Sequence, residues 1–391
     1  MKQKKMRILV VSFIFPYPLT GGGSRDIYPR IKFLKEKGYN IDLVATSKDK
    51  VSDLAIASMK KLVDDVKIVY RSSSVSDLIS CIPFQCSSRG DLSKIKFSTT
   101  YDIVILETEY VGEILKNKTL CSKKIILRLH NNEKLITGYH FKSANGILRK
   151  IAFIAEYFKI GRYSAHIAKQ CDQLWFISDK EYKSEYLSLK SCAHSVKRIS
   201  APLIVEKGQM KEPILETNIV FYVGTLNIEI NYEGILWYLK NVHPKLFDIH
   251  GYKFVLAGKA TGAIKAGIER LVSQFNNVVF DTQADEISEY YAQAGAFINP
   301  IQRGAGVKIK TVDAIVEGLP VVTTNAGAEG IGIKHNIHAI ITDDAYEYAQ
   351  GIRKVLADKE FAKKMVLSAQ DLLKEKNTGE PIVRALLELD A

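Results

Sequence analysis

The chain of 391 residues has little cysteine, five residues in all, and two tryptophans. Cys81, Cys86, Cys121, Cys171 and Cys192 are odd in number and show no CxxC spacing. They suggest neither a disulfide framework nor a zinc site, and a reducing cytoplasm suits them best. Apolar runs break at a proline or a charge well before the ~18 residues that a membrane-spanning helix needs, so no integral membrane segment is expected. There is no Walker loop, and no GxGxxG follows the first strand, which leaves a dinucleotide site poorly supported. Zinc fingers, aromatic-basic RNP-like segments and long basic tails are missing, so nucleic acid is not expected as a partner. Low-complexity segments and repeats of solenoid period are missing too.

What is present is ordinary globular material, 47% hydrophobic and 25% charged, which excludes disordered and fibrous classes. The length predicts two or three domains, each able to bury a sizeable core. Lysine and arginine number 55 against 43 acids, a net charge of +12. That field attracts anions, either a phosphorylated substrate or an anionic lipid surface. Lys2, Lys4, Lys5 and Arg7 before the apolar run Ile8 to Phe15 imitate a secretory signal. No small-residue cleavage site follows, and a buried first strand is the expectation.

Short β-rich runs alternate with helical segments, the pattern of parallel sheets covered by crossover helices. Strands are expected near Ile8 to Phe15, Ile41 to Ala45, Val66 to Tyr70, Asp102 to Glu107, Ile125 to Leu129 and Gln173 to Ile177. Asp26 is placed as the cap of the first helix, with Pro29 in its first turn and Gly38 ending it, so the first loop spans residues 16 to 25. Ser178 and Glu181 make a capping-box pattern. A second series follows near Ile219 to Val223, Phe254 to Ala257, Val278 to Asp281, Ala296 to Asn299, Pro320 to Thr323 and Ala339 to Ile341. The boundary falls between Pro202 and Pro213, giving domains 1–205 and 206–374 and a final segment 375–391. The expectation is an α/β protein of two Rossmann-like, doubly wound parallel sheets facing a cleft, with ligands beyond the carboxyl ends of the strands.

The stretch from Asn299 to Val322 reads as strand, glycine loop, helix, terminal Gly318, then Pro320 opening the next strand. Gly304, Ala305, Gly306 and Val307 lead into the helix, where free backbone N–H groups and a positive dipole end suit a phosphate. Arg303 and Lys308 add full charges. The plain alternative is a solvated basic face formed by Arg303, Lys308 and Lys310. Asp313, two turns into the helix, either accepts hydrogen bonds from ribose hydroxyls or pairs on the surface with Lys310 one turn earlier.

This stretch resembles the C-terminal donor-binding motif of GT-B glycosyltransferases of the family 4 type, and the order of two Rossmann-like halves extends the resemblance over nearly the whole chain. Phe221-Tyr-Val-Gly224-Thr225, Asn231-x-x-Gly234 and Thr324-Asn-Ala-Gly327-Ala-Glu329-Gly330 support it, as does Arg128-Leu-His130-Asn131-Asn-Glu133 in the first half. The resemblance implies that Arg303 and Lys308 contact the diphosphate of a nucleotide sugar and stabilise the departing nucleotide. It gives Asp313 the ribose, although it is one methylene shorter than the family's glutamate. The family's other acid is replaced by Ala305, so backbone N–H groups would serve the sugar. His130 would hydrogen-bond that sugar and steady an oxocarbenium-like transition state. Gly21, Gly22 and Gly23 would let the first loop approach donor phosphates or acceptor. Glu107, Glu109, Asn131 and Glu133 are acceptor-side candidates.

The resemblance further implies transfer with retention of anomeric configuration by front-face displacement. There is no DxD motif, so no metal cofactor is expected, and the nucleotide sugar, UDP-linked for preference, enters as substrate. The acceptor would be a surface polysaccharide or a lipid-linked glycan. The segment Phe141 to Lys169 interleaves Lys142, Arg149, Lys150, Lys159, Arg162 and Lys169 with Ile147, Phe153, Ile154, Tyr157, Phe158 and Ile160. It is either an interfacial helix on an anionic membrane surface or a domain helix with its apolar stripe inward. A nucleotide-sugar epimerase and a catalytically silent binding subunit are the rival readings.

Overall fold

The computed structural model describes residues 6–19, 22–72, 74–78, 80–144, 146–177, 182, 189, 191–192, 194–199, 210–213, 215–282, 287–304, 307–376 and 380–390. The chain divides into two compact units, Met1–Pro202 with Gly379–Ala391, and Leu203–Thr378.

The first unit holds seven parallel strands: β1 (Arg7–Ser12), β2 (Asn40–Ser47), β3 (Asp65–Tyr70), β4 (Thr100–Glu107), β5 (Cys121–Leu129), β6 (Gln173–Phe176) and β7 (Ser195–Arg198). They pair in the order β3-β2-β1-β4-β5-β6-β7. Successive residues of β1 serve two cores: Leu9 and Val11 pack with Val104 and Leu127, whereas Ile8 and Val10 pack with Ile27 and Ile31. A strand buried on both faces reads as an unbroken apolar run, and Ile8 to Val11 is one.

The second unit holds six parallel strands: β8 (Ile219–Val223), β9 (Lys253–Ala257), β10 (Val278–Asp281), β11 (Ala296–Asn299), β12 (Val321–Thr323) and β13 (Ile340–Ile341), in the order β10-β9-β8-β11-β12-β13. Val220 and Tyr222 feed one of its cores and Phe221 the other. Both sheets reverse strand order beside their first strand, between β1 and β4 and between β8 and β11. Such a switch point opens a crevice at the carboxyl ends of the strands.

The helices that bear on the sites are α1 (Gly22–Glu36), α2 (Glu133–Ser143) and α3 (Ile147–Ala168) in the first unit, and α4 (Glu229–Trp237) and α5 (Ile309–Val316) in the second. A helix at Glu380–Asp390 returns to the first unit, where Ile382, Ala385 and Leu386 join the core of Ile8, Val10 and Ile27.

Three local expectations are corrected. The first strand ends at Ser12, not Phe15, and α1 begins at Gly22, so the described part of the first loop is 13–19. Gly22 and Gly23 thus open the helix instead of lying in the loop. A Cβ on Gly23 would meet the Phe13 ring at 2.8 Å, so close packing calls for glycine there. Asp26 is not a cap; it sits inside α1, buried, and Pro29 lies within the helix. The Ser178 capping-box pattern lies outside the described residues.

Candidate active site

In the second unit the carboxyl ends of β8 and β11 meet the start of α5. Lys308 stands at the N-cap of α5 and is 9% exposed. Gly304 has φ of +137°, a left-handed backbone that favours glycine, and its hydrogen side faces the Lys308 Nζ, 3.3 Å from where a Cβ would stand. Val307 packs its backbone against Gly330, and Asp313 lies half-buried on α5. Ala305 and Gly306 lie outside the described residues.

Lys310 is the candidate site residue that sequence reasoning missed. Its spacing from Asp313 suggested a surface ion pair. Instead its Nζ turns back to the end of β8, donating to Tyr222 Oη at 2.7 Å and to Asn231 Oδ1 at 2.8 Å, 4.4 Å from the Tyr222 ring centroid. Asn231 on α4 is oriented by a hydrogen bond from its Nδ2 to the Thr225 carbonyl at 2.8 Å. Gly224 makes room for this: a Cβ there would stand 2.8 Å from the Lys310 Nζ. These partners are neutral. Burial, with the Lys308 charge adding, pulls the Lys310 ammonium down to about 7. The end of β8 therefore carries a half-buried cation that a bound anion would stabilise. The quoted Asn231-x-x-Gly234 was the signal that could have found it.

Arg303 departs from expectation. Its guanidinium is held by α4, with Nε and Nη2 each donating to Glu233 at 3.0 Å and Nη2 lying 3.3 Å from Glu229. The Glu233 hydrogen bond leads in raising its pKa. The cation expected to face a diphosphate is thus neutralised by acids.

The first unit gathers a buried charge network where α1, β4 and β5 meet. Arg30 and Arg128 are fully buried. Arg30 Nη1 approaches Glu107 Oε1 at 2.6 Å, and Arg128 Nη2 bonds both Asp26 oxygens at 3.1 Å. His130, just beyond β5, has Nε2 hydrogen-bonded to Glu107 Oε2 at 2.7 Å and Nδ1 at 3.4 Å from Asp26 Oδ2. Phe13 packs its ring edge-on at 5.5 Å. Burial would raise the Glu107 carboxyl, but Arg30 and then His130 and Arg128 outweigh it and hold it at about 2. Glu107 therefore fixes His130 from below; being fully buried, it does not reach an acceptor as expected.

The remaining candidates are packed as well. Glu133 opens α2 after the N-cap Asn132, is buried against the Tyr110 hydroxyl, and also receives a hydrogen bond from Asn131. Burial raises its pKa. Glu109 Oε1 accepts from Ser164 on α3 at 2.9 Å.

Residues 217–358 match the model of the family glycosyl transferases group 1. The chain is 29% identical to an uncharacterized 44.6 kDa protein in the cps region of Klebsiella pneumoniae, over 98% of this chain and 99% of that protein. TarM of S. aureus has a similar structure, with TM-score 0.70 at 11% identity, covering 98% of both chains. So does Anabaena HepE in complex with UDP and glucose, with TM-score 0.62 at 12% identity, again over 98% of both. The chain has the GT-B fold. The group 1 match spans β8 through β13, so the lysines and glycines described above lie inside the segment that carries the resemblance. Among the described residues, no helix is long and apolar enough to cross a membrane.

Proposed function

We propose that this protein is a glycosyltransferase that moves a sugar from a UDP-linked donor to a surface polysaccharide or a lipid-linked glycan, with retention of configuration and no resident metal. The observation that carries the donor assignment is Lys310, a half-buried cation among neutral partners beside Lys308, at the switch point of a parallel sheet. Cations so placed would pair with the diphosphate and offset the charge that grows on the leaving nucleotide, the work a metal ion does elsewhere. HepE in complex with UDP and glucose, and the relative in a cps region, support the donor and polysaccharide context.

In this reading the bond from the anomeric carbon to the diphosphate breaks. The acceptor oxygen bonds to the same face, and its proton passes to the departing phosphate oxygen. His130 keeps its short bond to Glu107 and gives up the longer contact with Asp26, so that Nδ1 meets a sugar hydroxyl. Arg303 is secondary, since Glu233 already holds it. Incubation with UDP-sugars and glycan acceptors, with the product's anomeric coupling read by NMR, tests the reaction. A product of retained configuration supports it, and inversion or epimerised free donor refutes it.

A further inference from the structure

The N-terminal half of α3 carries its apolar residues outward. Ile147, Ile151, Ile154 and Phe158 recur at helical spacing and are 76%, 59%, 42% and 58% exposed. A surface helix ordinarily turns such a stripe inward, as the C-terminal half of α3 does with Ile160, Tyr163 and Ile167. The inward reading of the whole helix is thus corrected. Between α2 and α3 opens a groove of about 800 Å³ walled by Leu135, Gly138, Phe141, Ile154, Tyr157 and Phe158. That size and lining suit an organic chain rather than a bare ion.

Cations rim the groove. Lys134, Lys142 and Arg162 line it, and Arg149 and Lys150 stand exposed on the first turn of α3. Lys142, Arg149, Lys150 and Arg162 form no ion pair with any described residue. Glu156, the one acid of α3, is taken by Lys159 and by the Phe84 backbone N–H. Asn132 and Ser164 also line the groove. Asn132 lies two residues beyond His130 in the chain, and Ser164 donates to the buried Glu109.

We propose that the groove holds the hydrocarbon chain of a single-chain lipid phosphate or diphosphate that carries the acceptor sugar, with the rim cations pairing with its phosphate. An apolar trough bordered by unpaired positive charge is complementary to that molecule: the chain leaves water and the phosphate meets cations. This rests on the lipid-linked acceptor reading above and names the surface that would take it.

The test is calorimetric titration with farnesyl diphosphate, with farnesol and inorganic pyrophosphate as controls, on the full chain and on Phe158→Glu and Arg162→Glu. Both replaced residues are exposed. Expected is saturable binding of the diphosphate, weakened at least about tenfold in each variant, with neither control matching it. Stabilisation by UDP-glucose, measured on the same variants, stays at the wild-type level and reports the donor site separately. Pyrophosphate binding as tightly overturns the chain site, and farnesol binding as tightly overturns the phosphate pairing. Undiminished binding by both variants places the lipid elsewhere and overturns the proposal. Flotation with anionic vesicles without binding of soluble farnesyl diphosphate assigns the face to the bilayer instead. A dimer dissociated by Phe158→Glu assigns it to a second copy.

Discussion

A donor diphosphate seated beside Lys310, as proposed, would bind in a pH-dependent and calculable way. In the free enzyme the Lys310 ammonium titrates at about 7, because burial and Lys308 disfavour the charge. A diphosphate seated beside it favours that charge, so binding above this pH takes up a proton. The diphosphate diester of a UDP-sugar keeps its own charge from about pH 6 to about pH 8.5. Over that interval the free ammonium falls from mostly protonated to a few per cent, and the dissociation constant should rise about 30-fold, or ~2 kcal/mol. The sign for folding is opposite. The depressed pKa costs stability below 7, and that cost is relieved as pH rises from 7 towards the unfolded value of 10.5. Calorimetric titration of UDP-glucose across this range, on wild type and on Lys310→Met, separates the effect from other groups. The variant should bind weakly and with a flat profile. Wild-type affinity that stays constant, or a variant with the same slope, would refute the assignment.

Other consequences follow from the same contacts. Gly224→Ala puts a methyl 2.8 Å from the Lys310 Nζ and 2.9 Å from the Oη of the buried Tyr222; donor affinity should drop about tenfold or more, and the urea midpoint should fall as well because the packed Tyr222 ring has no room to give. Glu107→Gln leaves buried Arg30 with only the longer Asp26 contact at 3.8 Å, itself shared with Arg128, and urea unfolding should show a loss of about 3 kcal/mol, with no loss contradicting the network. Arg303→Met should weaken UDP-glucose less than about threefold, against more than tenfold for Lys308→Met, because Glu233 already occupies the guanidinium. Equal losses in the two titrations would show Arg303 freed for the donor.

Much of the fold was legible because strands buried on both faces are unbroken apolar runs, as in Ile103 to Leu106 and Val220 to Tyr222. The edge strand β7, Ser195–Arg198, is only half-buried, and its residues alternate too weakly to read as a strand. The loop from Asn299 to Lys308 was legible as a candidate site because glycines and cations coincide ahead of a helix. The direction of each charge was not. Arg303 meets Glu233 across 70 residues of chain, and Lys310 meets Tyr222 across 88, so neighbours in sequence could not reveal either partner. Asp26 looked like a cap because short polar residues favour that position. Its true partner, Arg128, lies 102 residues away. Periodicity likewise located the apolar stripe of α3 without saying which half has a neighbour to cover it.

The central claim is that the edge formed by β8, β11 and α5 binds a nucleotide-sugar diphosphate through Lys308 and Lys310. The most direct measurement is the melting temperature with UDP, GDP, TDP and UDP-sugars, on wild type and on the two lysine variants. A ligand at about 100 times its dissociation constant should stabilise the fold by ~2.7 kcal/mol. The account predicts an upward shift with uridine ligands in wild type that disappears in Lys308→Met and Lys310→Met. A shift of equal size in the variants, or none with any nucleotide in wild type, would contradict it.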